Sequence, residues 1–455
     1  MNSLHVLRGQ MFVENPLHVS EKQDGIQSMT QAILACISLM LLAISWIIYK
    51  KNFELFLCLL IVLYNDCFCL TPQIPGRPDD YKLLLLPIIL ILLAVNLFTG
   101  KLSFGRYGWW VISFLGLSVL AVVVAWFAGQ DFSLGIKAVK FVPLVLVYFL
   151  LAGRRVDGEK FAKYFIFMAI AVAFIASIQY LALNKINLFP GLPKEILTWQ
   201  KVQNRITVGS FVISAAVVVA FARYQQSSRI MFLLAAAALC GQVIVVGQTR
   251  ALVVAIFLTM FITYVLSHKF TALRLAAYMF FAGFCLCGWL FLQNVDFSHF
   301  SLVKRTTADF TKRGTSFGSS YQARLNSYDY YWKEILKQPI TGRGIWNFNW
   351  AGDNERTLQK YRGIHLSDIG ITHFIVEAGL VGFMWLLYGL LRIWKDIFRF
   401  RGQLAIASYF VIATFTMPTI DLMFRNDNLF VFAVFLGISS SMITAAKTDK
   451  VLEGV

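Results

Sequence analysis

A chain of 455 residues that is 58% hydrophobic and only 14% charged, with a mean hydropathy of +0.66, cannot be an ordinary water-soluble protein, because such proteins carry about 25% charged residues. Its formal net charge of +17 does not point to nucleic acid: Lys and Arg gather in short connections, as membrane-orientation signals do. No nucleic-acid partner is expected.

Repeated apolar runs have the length a bilayer demands, since about 20 helical residues cross its hydrocarbon core. A closed barrel would show short alternating strands instead. The expected fold is therefore all-α: a polytopic helical membrane protein with 12 or 13 transmembrane helices and one large external loop. Residues 1–30 form a polar N-terminal segment without the pattern of a cleaved signal peptide. Spans are predicted at 31–49, 54–70, 83–98, 107–128, 137–152, 161–183, 206–223, 229–246, 251–267 and 275–293. The second is the weakest, because it carries Asn65 and Asp66 and could be re-entrant. After the loop at 294–370 come spans at 371–391, 403–421 and 429–446, then a short cytoplasmic tail, 447–455. Basic residues in alternate short connections (Lys101 and Arg106; Arg154, Arg155, Lys160 and Lys163; Arg223 and Arg229; Lys269 and Arg274; Arg392, Lys395, Arg399 and Arg401) assign those connections to the cytoplasm. The seven cysteines lie in or beside apolar runs and read as small packing residues. No metal-ligand spacing is present and no cofactor is expected.

A loop as long as 294–370 is uncommon unless it is functional. Within it Tyr321, Leu325, Tyr328, Trp332 and Ile335 recur at helical spacing, which predicts an amphipathic helix with Arg324, Lys333 and Glu334 off its apolar face. Pro339 and Gly342 end that helix. Four groups of residues could carry chemistry. Gly247-Gln248-Thr249-Arg250 makes a tight turn before a span, with Thr249 as a candidate N-cap; Arg250 adds a cation where the helix dipole disfavours one, which suits an anionic partner. Arg324 is a second candidate, because two guanidinium forks match the oxygens of a phosphate pair. Asp368 and His365 are candidate general bases, with Asp368 otherwise a helix cap, while His373 reads as packed within the bundle. Lys137 and Lys140, three apart on one predicted helix face, are secondary candidates for phosphate or headgroup contact. Asp421 and Arg425 read as a pair, and Asp66 as an ionisable group near a span end.

Three blocks, in this order, resemble the O-antigen ligase and polymerase family of bacterial envelope glycosyltransferases: Gly247-Gln248-Thr249-Arg250-Ala251-Leu252; Gln322-Ala323-Arg324 with Pro339 and Gly342-Arg343-Gly344-Ile345-Trp346-Asn347-Phe348; and Asp368-Ile369-Gly370 with Glu377-Ala378-Gly379-Leu380-Val381-Gly382. The resemblance implies a GT-C-like enzyme of the bacterial inner membrane with its site facing the periplasm. It implies a donor glycan on undecaprenyl pyrophosphate, held by arginines that fall on Arg250 and Arg324. Membrane lipids and a chain-length regulator are the further implied partners. In the ligases a histidine stands eleven residues before the Gly-x-x-Gly pair; here Asp368 stands there, followed by Ile369. This departure favours a polymerase of O-antigen or exopolysaccharide units, expected to be metal-independent because two arginines can do a cation's job and no Asp-x-Asp motif is present. The alternatives are a ligase moving glycan to lipid A core or protein, and a flippase for lipid-linked sugars.

Overall fold

In the computed structural model of the chain, the described residues are 40, 48–49, 51–68, 80–182, 188–189, 205–267, 320–347, 350, 364, 366, 369–418 and 428–453. They form helices and turns, with no strand among them. In chain order the α-helices are α1 (Phe53–Tyr64), α2 (Leu85–Phe98), α3 (Gly108–Phe127), α4 (Phe132–Ala138), α5 (Val147–Ala152), α6 (Gly158–Leu181), α7 (Ser210–Ser227), α8 (Ile230–Gln242), α9 (Arg250–Ser267), α10 (Ser320–Lys337), α11 (Ile371–Arg399), α12 (Leu404–Thr416) and α13 (Leu429–Glu453). Six stretches of the described residues are long and apolar enough to cross a membrane: α3, α6, α8 with its continuation to Gly247, α9, α11 and α13. The bent pair Phe132–Ala138 and Val142–Ala152 makes a seventh if it is one span, and α1, 82–98 and α12 are shorter apolar helices. The protein is a multi-pass helical membrane protein. The predicted span at 275–293 and nearly all of that at 31–49 lie outside the described residues.

Two predicted spans change on folding. The one at 54–70 is helical only over Phe53–Tyr64; Asn65 caps it, and Asp66 sits in the following turn at φ +44°. Asp66 is thus not inside a helix. The one at 137–152 is broken, with a 45° bend between its halves. A 3-10 turn, Val142–Leu146, follows the break and carries Pro143 in its first turn, where the missing N–H is tolerated. Lys137 lies in the last turn of α4 and Lys140 lies beyond it, so the two lysines do not share one continuous helix face.

The centre of the bundle is α13, whose residues from Leu429 to Ser441 are all buried. A helix apolar on every side belongs inside its neighbours. Phe435 stacks on Tyr409 of α12 with ring centroids 4.1 Å apart and meets Phe161 and Phe165 of α6 edge-on. Ser440 and Ser441 pin this helix to neighbouring turns: Ser440 Oγ accepts from the Arg106 amide at 2.8 Å, and Ser441 Oγ donates to the Arg154 carbonyl at 2.6 Å. Small hydroxyl residues let backbones approach and bond across membrane helices.

The bundle has two distinct ends. At one, the Ile206 amide donates to Val246, the Ile371 amide donates to Met417, and the Tyr328 hydroxyl donates to Pro418; this is the loop end. At the other, Gln226 Nε2 donates to Gly402, the Asp157 amide donates to Glu54, and Arg223 pairs with Glu159; this is the basic end. There Arg106 forks onto the Asp396 carboxylate through Nε and Nη2, while Tyr107 donates to the same carboxylate at 2.7 Å. This knot joins α3 to α11. Asp396 is 3% exposed, and removing one partner of a buried pair costs about 3–5 kcal/mol. Asp396→Ala is expected to lower thermal stability in detergent by that order, and Asp396→Asn by distinctly less because it keeps hydrogen-bonding capacity.

Candidate active site

The site is organised by a break in α11. Gly379, at φ +60° and ψ −156°, interrupts the helix, so the amides and carbonyls on either side lose their intrahelical partners. The segment 339–344 supplies replacements in both directions. The amides of Leu380 and Val381 donate to the carbonyls of Pro339 (2.8 Å) and Ile340 (3.1 Å). The amides of Arg343 and Gly344 donate to the carbonyls of Val376 (2.9 Å) and Glu377 (3.1 Å). A short turn segment is therefore stitched into the helix as a cap for both halves. Gly342 and Gly379 face each other at this crossing: a Cβ on Gly342 would lie 2.6 Å from the Gly379 nitrogen.

The same segment is fastened to α3 and α4. The Ile345 amide donates to Ala121 at 3.1 Å, and a Cβ on Gly344 would lie 2.5 Å from the Ala125 nitrogen. Gln130, 1% exposed, donates to Ile345 and accepts from the Asn347 amide at 2.7 Å; Asn347 Nδ2 in turn donates to Leu134 at 3.1 Å. The Gly342–Asn347 motif is thus a joint between α11 and the α3–α4 corner.

Arg343, between the two glycines, is buried, its guanidinium 4.3 Å from the Trp346 ring centroid and 5.5 Å from that of Tyr331. Aromatic faces attract cations through their quadrupole. Below it, His373 Nε2 and Glu377 Oε1 are 2.9 Å apart on consecutive turns of α11. Sequence reasoning did not single out Arg343 or Gln130 and left His373 as a packing residue. The signal for Arg343 was its place between two glycines, where the backbone must approach another chain segment closely.

The loop helix α10 packs across the N-terminal half of α11 and the turn before it through Tyr331, Ile335, Ile369 and Val376. The inward stripe is Arg324, Tyr328, Tyr331 and Ile335, while Leu325 and Trp332 are exposed. Tyr328 and Ile335 are common to the predicted and observed stripes, while Arg324 and Tyr331 take the inward places predicted for Leu325 and Trp332. Arg324 lies on the inward stripe, half-buried, and its Nε is buried with no hydrogen-bond partner among the described residues. Tyr328 sits between Arg324 and Thr372: burial pushes its phenol above the usual value, and the Thr372 hydrogen bond and the Arg324 charge oppose that shift. The stripe is testable: Tyr331→Ala is expected to cost about 3–5 kcal/mol, as for a buried aromatic, and Trp332→Ala under about 1 kcal/mol, read by thermal melting.

Arg250 opens α9 immediately after a π-helical turn, Val243–Gly247, and a left-handed Gln248. Thr249 takes the N-cap place in the backbone, its carbonyl accepting from Val253, but its hydroxyl donates to the Gly247 carbonyl and does not cap the helix amides. Arg250 is half-buried at the loop end, the end that also holds Arg324, Arg343 and the His373–Glu377 pair. Lys137 is exposed, and Lys140 Nζ lies 4.9 Å from the Phe141 ring centroid; both are on the α4 corner that Asn347 fastens. Asp368, His365, Asp421 and Arg425 lie outside the described residues; Ile364, Leu366 and Ile369 pack with Tyr331 and Ile335 of α10.

Residues 234–387, about a third of the chain, match the family model described as O-antigen ligase. The matched segment runs from α8 through Arg250, α10 and the inserted loop to beyond the break in α11. The protein is thus a multi-pass membrane protein with a segment similar to the O-antigen ligase family, and that similarity supports a role in O-antigen or polysaccharide assembly. No curated protein matches the chain.

Proposed function

We propose that the protein is a glycosyltransferase that polymerises lipid-linked repeat units of an O-antigen or exopolysaccharide at the periplasmic face of the inner membrane. The donor glycan hangs from undecaprenyl pyrophosphate, its lipid in the bilayer and its pyrophosphate against Arg250 and Arg324. The observation that carries this reading is Arg324 itself: a guanidinium turned inward on α10, with its buried Nε making no hydrogen bond among the described residues. A buried donor left without an acceptor costs about 1–3 kcal/mol, and an anionic ligand supplies the acceptor. Arg250, on the same end of the bundle, opens a helix whose N-terminal amides also favour anions.

A hydroxyl oxygen of the lipid-linked acceptor bonds to the anomeric carbon of the donor sugar. The bond from that carbon to the pyrophosphate oxygen breaks, and its electron pair leaves with the pyrophosphate. The arginines stabilise that developing charge, and such preorganised stabilisation is usually the largest single contribution to rate. Asp368 or His365 takes the acceptor proton. Two guanidinium groups do the work a divalent cation does elsewhere, so the reaction runs without metal.

A ligase is the second reading, favoured by the description of the matched family. Purified protein in proteoliposomes separates the two. With lipid-linked repeat units as the sole substrate, growth of a ladder of chain lengths is expected. Product only when lipid A core is added means a ligase, and transbilayer movement without new glycosidic bonds means a flippase. Reversible loss of turnover with EDTA would overturn the metal-free step.

A further inference from the structure

At the basic end, away from the broken helix, α1, α2 and α5 enclose a cleft of about 710 Å³. Its walls are apolar, with Phe56 and Leu60 of α1 facing Ile88 and Leu92 of α2. Lining residues of α2 run from Leu85 to Thr99, which at 1.5 Å per residue is ~21 Å. One leaflet's share of a ~30 Å hydrocarbon core is about 15 Å, so the cleft is deep enough for an acyl chain. Its mouth is polar and basic, formed by Asn96, Thr99, Lys101 and Arg154.

The two cations at that mouth differ from their neighbours. Arg106 is paired with Asp396, Lys160 with Asp157 at 3.6 Å, and Arg223 with Glu159 at 3.2 Å. Among the described residues no carboxylate engages Arg154 or Lys101. Arg154 is nevertheless held in place: its guanidinium lies 3.8 Å from the Phe53 ring centroid and 5.1 Å from that of Tyr49, and Nη1 donates to the Tyr49 hydroxyl at 3.0 Å. Of the five N–H donors of an arginine, that uses one. A fixed fork with donors to spare, beside a lysine and above an apolar slot, is what an acidic lipid headgroup requires. Basic pockets between membrane helices bind such headgroups.

We propose that this cleft is a binding site for an acidic diacyl phospholipid, with one acyl chain between α1 and α2 and the phosphate against Arg154 and Lys101. A zwitterionic lipid would place a third cation beside these two and bind less well. The site is separate from the candidate active site and does not depend on the glycosyl-transfer reading.

The test is native mass spectrometry of the full chain released from detergent, titrated in parallel with phosphatidylglycerol and phosphatidylcholine. The wild type is expected to retain phosphatidylglycerol roughly 25-fold more strongly, since each of the two basic residues near an anionic headgroup contributes about a factor of five. Lys101→Gln with Arg154→Gln should reduce that preference to near unity. Because Arg154 also holds Tyr49 and Phe53, a second variant keeps the cations: Leu92→Trp fills the slot and should weaken retention of both lipids. Equal retention of the two lipids by the wild type, or an unchanged preference in the double variant, would overturn the proposal. So would unchanged retention in Leu92→Trp.

Discussion

Alanine at Gly379 or at Gly342 is expected to abolish polysaccharide assembly and to destabilise the protein by about 3 kcal/mol or more. Gly379 has φ +60° and ψ −156°, a conformation open essentially to glycine and costing other residues about 1–3 kcal/mol. Its Cβ would also lie 2.5 Å from the Ile340 carbonyl oxygen. The obstruction is backbone, so no side-chain rotation relieves it. At Gly342, φ is +69° and a Cβ would lie 2.6 Å from the Glu377 carbonyl carbon and oxygen. Pushing the segments apart threatens four reciprocal backbone hydrogen bonds, those of Leu380, Val381, Arg343 and Gly344, and each buried group left unpaired costs about 1–3 kcal/mol. The control is Gly116→Ala in α3, where an added Cβ meets nothing within 4 Å and helix propensity gains up to about 1 kcal/mol. Melting temperature and the gel ladder of envelope polysaccharide are the readouts. A full ladder from Gly379→Ala would mean the stitched loop is not needed for the site.

Arg324→Ala and Arg250→Ala should each lower turnover by about 10²–10³, the usual effect of removing one preorganised donor to a developing anion. The stability effect separates this from misfolding. Arg324 Nε has no hydrogen-bond partner among the described residues, so removing it should leave the melting temperature nearly unchanged or raise it slightly. A mutation that disrupted packing would move both readouts together. Arg324→Lys keeps the charge but loses the planar fork, and lysine is not equivalent at a bidentate site; it is expected to recover only part of the lost rate. Long chains made at normal rates by either alanine variant would rule out the arginine mechanism.

Some of the candidate site was legible in the sequence and some was not. Gly342, Gly344 and Gly379 stood out as a motif, but a motif states only that side chains are excluded. Why they are excluded depends on two segments more than thirty residues apart exchanging backbone hydrogen bonds, and no local pattern encodes that. Arg324 shows a different limit. Tyr328, Tyr330, Tyr331 and Trp332 are all large and aromatic, so neighbouring stripes are nearly equal in hydrophobicity. The two stripes share Tyr328 and Ile335, so a rotation smaller than the ~100° of one residue is enough to turn Arg324 from the solvated side to the inward one.

What the sequence determined by itself was the class of structure: apolar runs of bilayer length, basic residues in the connections, and a polar loop with one amphipathic helix. These are local properties of composition and period, and lipid leaves the backbone little choice but to satisfy itself within helices. The tertiary structure decided the rest. It chose the face α10 presents, broke α11 at Gly379 to admit a loop, bent the chain between Lys137 and Pro143, and left Arg154 and Lys101 at the lip of a cleft. Each follows from contacts between distant segments, where packing and unpaired backbone groups outweigh the small differences that local propensity supplies.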